Sequence, residues 1–455
     1  MYRKLMQQLI DWKQDKYRKP LILEGARQTG KTYILQQFGK EHYKNVAYIN
    51  MENASDELKQ MFNCSISPER IVQQLEIMFG FAISPTETLL IFDEVQEVPR
   101  ALKSLKYFCE DAPEYHIVAS GSLLGIFLHP GTSFPVGKVD FLKMQPMDFE
   151  EFLIANKEQR LVDFARENIH NLAFLTEKLY DFFKLYLVTG GMPEVVQSWI
   201  MEKNIEKVEK IQDTILQTYI RDFSKHTKEA ESVRIKQIFD SLPNQFAKQN
   251  DKFIFNVVRE GARAREYELA IEWLLAAGIV RRVNRVKCGD KMPLRAYCER
   301  SSFKLYFIDV GLFRRFAKIP TAVVLDKTAI FDEFNGLLAE QYVLQELNRY
   351  ELFYWTSGTQ AEVDFVTQLE SKIVPIEVKS GLNVKAQSLK VYRENFNPEL
   401  CIRFSLLPLK ENNGLLNIPL YYSFLFPQQS SSAFCHTLLL TCEQKSNLLQ
   451  EAPTL

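Results

Sequence analysis

The chain lacks any apolar run approaching the ~18 residues that a membrane-spanning helix needs, so no membrane partner is expected. Its seven cysteines are scattered without a C-x-x-C pair, and its six histidines show no ligand spacing. Neither a zinc site nor a disulfide framework fits that pattern, which suits a reducing, cytoplasmic setting. There is no excess of charge either. The formal net charge is −1, so any contact with nucleic acid must come from a local patch. The opening MYRKLMQQLIDWKQ carries charges throughout and reads as an amphipathic helix, not a secretory signal. What remains is 46% apolar and 25% charged residues over 455 positions, an ordinary globular composition with room for about three domains.

Against that background one stretch stands out, Leu21 to Gln37 (LILEGARQTGKTYILQQ). A short apolar run leads into Gly25-Ala26-Arg27-Gln28-Thr29-Gly30-Lys31-Thr32, and a helical pattern follows. This is G-x-x-x-x-G-K-T, the phosphate-binding loop, in its strand-to-helix context. Gly25 and Gly30 allow backbone angles and close approach that a side chain would block. The N–H groups of Gln28, Thr29, Gly30 and Lys31 then form an anion-binding concavity at the positive end of a helix. Lys31 is expected to reach the β- and γ-phosphates of ATP, and Thr32 to offer its hydroxyl to Mg²⁺.

A second strand is expected at Val46 to Glu52, and a helix from Ser67, its N-cap, to Phe79. Leu89-Leu90-Ile91-Phe92 then ends in Asp93-Glu94. Four apolar residues suit a buried parallel strand whose carboxyl end binds ligand. Asp93 is placed to hold Mg²⁺, and Glu94 to orient or deprotonate the attacking water. A strand from His116 ends in Ser120-Gly121-Ser122. Either serine can face the nucleotide, and a plain turn fits as well. Strands alternating with helices give a doubly wound α/β layer.

GARQTGKT, LLIFDEVQ, ASGS, the L-x-P-M-x-F-E-E-F pattern ending at Phe152, TGGMPEVV from Thr189, FKLYFIDVGL from Phe303, and EVDFV with IEVKS together resemble a large prokaryotic group of AAA+-type ATPases. The C-terminal half of that group is catalogued only as a domain of unknown function. The resemblance runs from about residue 20 to 380. It implies a P-loop ATPase core (1–160) and a helical lid (161–229), and it allows a homo-oligomer. Where members of the group often carry Gly-Arg, this chain has Gly137-Lys138. Lysine lacks the planar guanidinium fork, so the arginine finger stays unassigned among Arg27, Arg100 and Arg221.

Helical segments from Val233 and from Tyr267 precede two strand-like runs, Gly278 to Lys287 and Lys304 to Phe307. That order outlines a winged helix (230–312). Between Arg259 and Lys304 stand eleven Lys/Arg against six Asp/Glu, a local balance of +5. DNA is the partner expected for residues 259–304, through phosphate contacts that position without specifying sequence. A solvated face of a protein-interaction module is the competing reading.

Beyond it come a helix (Phe331 to Leu347) carrying Glu340, three strands, a helix from Val384, and a strand from Cys401. This order is similar to the restriction-endonuclease-like core, PD-(D/E)xK (313–426). Asp364 lies on the second strand and Glu377-Val378-Lys379 ends the third, matching the D…E-x-K signature. Glu377 and Lys379 share a face of one strand, and Asp364 on its antiparallel neighbour can meet them. Two carboxylates with the Val378 carbonyl make an oxygen site suited to Mg²⁺, and Lys379 would orient water. Glu340 resembles the extra acid of resolvase-like members. Outward cross-strand Glu–Lys pairs are equally ordinary. After Phe426 the tail (427–455) turns Gln/Ser-rich without a continuing pattern.

The whole reads as an α/β ATPase that couples ATP turnover to DNA binding and to nucleic-acid cleavage. A regulatory switch with a catalytically silent nuclease-like scaffold is the alternative. A toxin–antitoxin or defence role rests only on the two-domain layout.

Overall fold

A computed structural model describes residues 1–122, 135–168, 173–225, 227–247, 252–325, 332–358, 361–381 and 387–426. The tail at 427–455 lies outside the described residues. The chain forms two compact units.

The first unit comprises Met1–Met147, Met192–Glu194 and Glu268–Ile279. Its centre is a parallel sheet of β1 (Leu21–Glu24), β2 (Asn45–Asn50), β3 (Thr88–Asp93), β4 (His116–Gly121) and β5 (Asp140–Lys143), ordered β2-β3-β4-β1-β5. Every residue of β3 and β4 is buried. Alternation divides β3 between two apolar layers: Leu90 and Phe92 pack with Ile71 and Leu105, while Leu89 and Ile91 pack with Ile34 and Phe38. A strand covered on both faces must be apolar at every position, which is why LLIF reads as an unbroken run. The N-terminal helix Leu5–Gln14 closes the second layer through Leu5, Leu9 and Trp12, spaced along one helical face. Ser67 stands at the N-cap of helix Pro68–Phe79, but its side chain makes no cap hydrogen bond. Pro68, with its φ already helical, starts that helix.

The second unit comprises Asp148–Gly191, Val195–Tyr267 and Val280–Leu455. The division between the units falls after Met147, whereas the ATPase core is expected to run to 160. Asp148 opens helix Phe149–Ala155 with a capping box to Glu151, and Phe149 and Phe152 pack their rings against Tyr186, 5.5 and 5.2 Å between centroids. The segments expected as a lid fold into this unit: helices Thr176–Thr189 and Ile205–Lys225 pack on helix Val310–Phe316. The buried guanidinium of Arg314 locks that packing through Glu209 and Gln212, both at 3.0 Å.

One sheet of eight strands runs through the unit. β6 (Val280–Val286), β7 (Cys298–Phe307), β8 (Phe353–Thr356), β9 (Glu362–Leu369), β10 (Lys372–Val378), β11 (Cys401–Ser405), β12 (Lys410–Asn412) and β13 (Leu415–Pro419) are ordered β12-β13-β11-β10-β9-β8-β6-β7. The β6–β7 hairpin, expected as the wing of a separate domain, instead hydrogen-bonds through β6 to β8. The boundary expected at 312/313 is therefore crossed by the sheet. The reason is burial. Val286 and Leu294 share one apolar cluster with Phe353, Trp355, Val363 and Leu389, and the Tyr392 hydroxyl donates to the Gly289 carbonyl at 2.8 Å. The meander β8-β9-β10 with parallel β11 has the order read from the sequence.

Candidate functional site

In the first unit the phosphate loop follows β1. Gly25 has φ +151°, and a Cβ there would stand 2.4 Å from the Met144 carbonyl, so only glycine fits. Gly30, at φ +95°, is the left-handed N-cap of helix Lys31–His42. The Lys31 ammonium donates to the carbonyls of Gly25 (2.8 Å) and Ala26 (2.9 Å). Burial pulls its pKa down to about 8, against the opposing pull of Glu94 and Asp93. Thr29 closes the loop by donating to the Ala26 carbonyl at 2.8 Å.

β3 delivers Asp93 to the same end of the sheet. The Thr32 hydroxyl donates to Asp93 Oδ2 at 2.7 Å, joining residues 61 apart in the chain. Tyr48 donates to the same oxygen at 2.9 Å, Ser120 to Oδ1 at 2.5 Å, and the Glu94 N–H to Oδ1 at 3.1 Å. Burial first, and then the Asp93 charge, pushes the Tyr48 phenol up to about 12, so it stays a donor. Glu94 takes a left-handed conformation, φ +49°, uncommon for a side-chain-bearing residue and frequent at functional turns. Its Oε2 accepts from Gln96 Nε2 at 2.5 Å and from Ser122 at 3.3 Å. The two serines thus serve different acids: Ser120 holds Asp93 and Ser122 holds Glu94. The donor set at Thr32 and Asp93 is all oxygen, the chemistry Mg²⁺ requires.

The sequence reading missed Arg3, Tyr48 and Gln96. Arg3 is buried and donates to the Thr29 carbonyl at 3.1 Å and the Gln145 carbonyl at 2.5 Å, tying the N-terminus to the loop. Nothing in its sequence neighbourhood signals that. Tyr48 alternates with apolar neighbours on β2, and Gln96 lies two residues past the paired acids, so both were open to discovery. Pro193, from TGGMPEVV, stands against Gly30, 3.4 Å from where a Cβ would be. Lys138 pairs with Glu110 at 2.9 Å, and Arg100 donates to the Phe62 carbonyl at 2.8 Å. Each is thereby engaged away from the phosphate loop.

In the second unit the structure brings Asp364, Glu377, Lys379 and Glu340 together. The Val378 N–H donates to Asp364 Oδ2 at 2.7 Å, and Lys379 pairs with Glu377 Oε1 at 3.2 Å. Glu377 is 1% exposed, and its Oε2 is buried with no hydrogen-bond partner. Burial raises the carboxyls of Asp364 and Glu377 above their ordinary values, against the pull of Lys379. Burial would lower Lys379, but Asp364 and Glu377 outweigh it and hold it above its usual value. Glu340 is raised by burial and by Asp364. It accepts from the Tyr306 hydroxyl at 3.3 Å. Among the described residues no three His, Cys, Asp or Glu side chains form a metal-holding group. A divalent ion here would take Asp364, Glu377 and the Val378 carbonyl, and the partnerless Glu377 oxygen fits that role.

The basic segment 259–304 is largely spent internally. Arg259 pairs with Glu266, Arg285 and Lys287 with Glu299, Arg295 with Glu351, and Lys304 with Glu362. Arg281 donates to the Leu344 carbonyl at 2.8 Å, and burial pulls its pKa down to about 10. At least seven of the eleven cations thus make contacts within the protein, Arg282 included, which donates to Asn284 Oδ1 at 3.0 Å.

Residues 17–153 match the AAA domain family. The N-terminal unit, with its phosphate loop and parallel sheet, is similar to P-loop AAA-type domains. Residues 180–322 match a domain of unknown function, DUF8612, and residues 335–421 another, DUF4143. An uncharacterized protein of Methanocaldococcus jannaschii, MJ1544, is 26% identical over 393 residues, covering 82% of this chain and 78% of its own. Among solved structures, the Walker-type ATPase paby2304 of Pyrococcus abyssi has a TM-score of 0.43 at 14% identity, over 69% of this chain and 95% of that one. The Aeropyrum pernix ORC1 protein, solved in complex with DNA, has a TM-score of 0.27 at 13% identity, over 71% and 93%. Both scores are too low to define a shared architecture.

Proposed function

We propose that the chain binds ATP with Mg²⁺ in its first unit and hydrolyses it. The observation that carries this reading is the meeting of Thr32 and Asp93 at 2.7 Å beside the phosphate loop. Backbone N–H groups from Gln28 to Lys31 would hold the β-phosphate, and Lys31 would turn from the loop carbonyls to the γ-phosphate. Thr32 and Asp93 would hold Mg²⁺, which neutralises charge on the phosphate oxygens. Glu94, steadied by Gln96 and Ser122, would orient the attacking water and take its proton. ATP hydrolysis by wild type, Lys31→Ala and Glu94→Gln tests this. Equal turnover in all three would sink it.

A second activity is supported by the partnerless, buried Glu377 Oε2 beside Asp364. We infer a divalent-metal-dependent phosphodiester-cleaving site at Asp364 and Glu377, with Lys379 orienting water. The acid cluster supports cleavage of a polynucleotide and leaves DNA and RNA both open as its substrate. A mixed DNA and RNA panel with Mg²⁺ or Mn²⁺, cut by wild type and spared by Glu377→Ala, would bear it out. No cleavage under any nucleotide condition would leave the switch-and-scaffold reading.

A further inference from the structure

Lys304 was counted with a surface wing, yet its side chain is only 15% exposed. It reaches from β7 to pair with Glu362 on β9, and its ammonium lies 5.3 Å from the centre of the Tyr354 ring on β8. On this part of the sheet Glu340, Glu362, Asp364 and Glu377 meet Lys304, Lys379 and Arg403, and their charges act on one another.

We propose that this cluster takes a single divalent cation, with Lys304 as a built-in counter-ion where a second metal would otherwise be needed. The proposal rests on the metal-dependent reading of Asp364 and Glu377 given above. Two features of the geometry lead to it. The oxygens available to an ion are unevenly used: Glu377 Oε2 is buried and partnerless, whereas Glu362 is held by Lys304 and Glu340 by the Tyr306 hydroxyl. A second ion would have to break that ion pair in a buried setting, where stranding the ammonium is costly.

The test is a Mn²⁺ titration of the full chain without nucleotide, read by calorimetry and by the spin-resonance signal of free Mn²⁺. Ions bound by wild type but not by Glu377→Ala belong to the cluster. The expected count is one. Lys304→Gln should add a second ion or tighten the first by about tenfold, since a unit charge at close range in a partly buried site is worth at least that factor. Two cluster ions in wild type, or a Lys304→Gln protein with unchanged count and affinity, would overturn the inference. If Lys304→Gln does not fold, Lys304→Gln with Glu362→Gln removes the pair without stranding a charge. That double variant should keep one ion, and two would overturn the inference. Equal binding by wild type and Glu377→Ala would instead sink the metal reading itself.

Discussion

The two acid-bearing centres solve the same problem with different means. At Asp93 the carboxylate is ringed by neutral donors, Thr32, Ser120, Tyr48 and a backbone N–H. At Asp364 and Glu377 the balance comes from ammonium groups, and one carboxylate oxygen is left with no partner. Neutral donors hold an acid in place without cancelling its charge, which suits an acid that must attract a cation together with nucleotide. Lysine counter-charges offset much of the acids' charge, which would suit the phosphodiester-cleaving site proposed above.

The largest expected contrast is catalytic. Lys31→Ala or Glu94→Gln should lower ATP turnover by about 10²–10⁴-fold, while the melting of the second unit stays unchanged. Phosphate release together with calorimetry checks this. A shared loss of second-unit stability would mean that the variants act through folding. Next in size is the shared core of the second unit. Trp355→Ala should destabilise it by about 3–5 kcal/mol, and the β6–β7 hairpin should lose hydrogen-exchange protection together with β9, because both bury residues in the cluster around Trp355. A hairpin that keeps its protection would restore the independent wing.

A smaller effect separates positioning from charge at the nucleotide centre. Tyr48→Phe removes one donor to Asp93 and should weaken ATP·Mg²⁺ binding by about two- to tenfold, the net worth of a typical single hydrogen bond. An unchanged affinity would make Tyr48 a packing residue. The smallest contrast is with pH. In the first unit burial pulls the His116 imidazole down to about 4, where it bonds the Tyr43 hydroxyl at 2.7 Å. Its unfolded form gains a proton below about 6.5, so this unit should lose stability as pH falls from 6.5 to 4. In the second unit burial raises the Asp309 carboxyl. Its contribution is present below the ordinary carboxylate range and fades as pH rises through the folded value. Hydrogen exchange at pH 7 and pH 4.5 should therefore show His116 and Asp309 pushing their units in opposite directions. Opposite slopes that persist after replacing both would contradict that assignment.

How far each centre was legible follows from how it is assembled. The proposed nucleotide centre uses one contiguous octet and one strand end, so spacing and periodicity alone point to Lys31, Thr32, Asp93 and Glu94, and Thr32 and Asp93 do meet. Arg3 escaped because its role depends on a tertiary contact from an ordinary amphipathic helix. In the second unit the D…E-x-K residues were found because two of them share a strand and the third sits on its hairpin neighbour. Lys304 was misplaced for the opposite reason. A basic residue on an alternating strand looks solvated, and only β6 joining β8 turns it inward. The β6–β7 hairpin shows the same limit: local pattern defines a hairpin, but the sheet edge it joins is chosen by a shared apolar core.

The most direct test of the central claim is ATP binding and single-turnover hydrolysis with Mg²⁺ by wild type, Glu94→Gln and Lys31→Ala. The account predicts that wild type binds and hydrolyses, that Glu94→Gln binds with similar affinity but turns over at least ~100-fold more slowly, and that Lys31→Ala binds poorly. ATP affinity indifferent to Lys31, or turnover indifferent to Glu94, would contradict it.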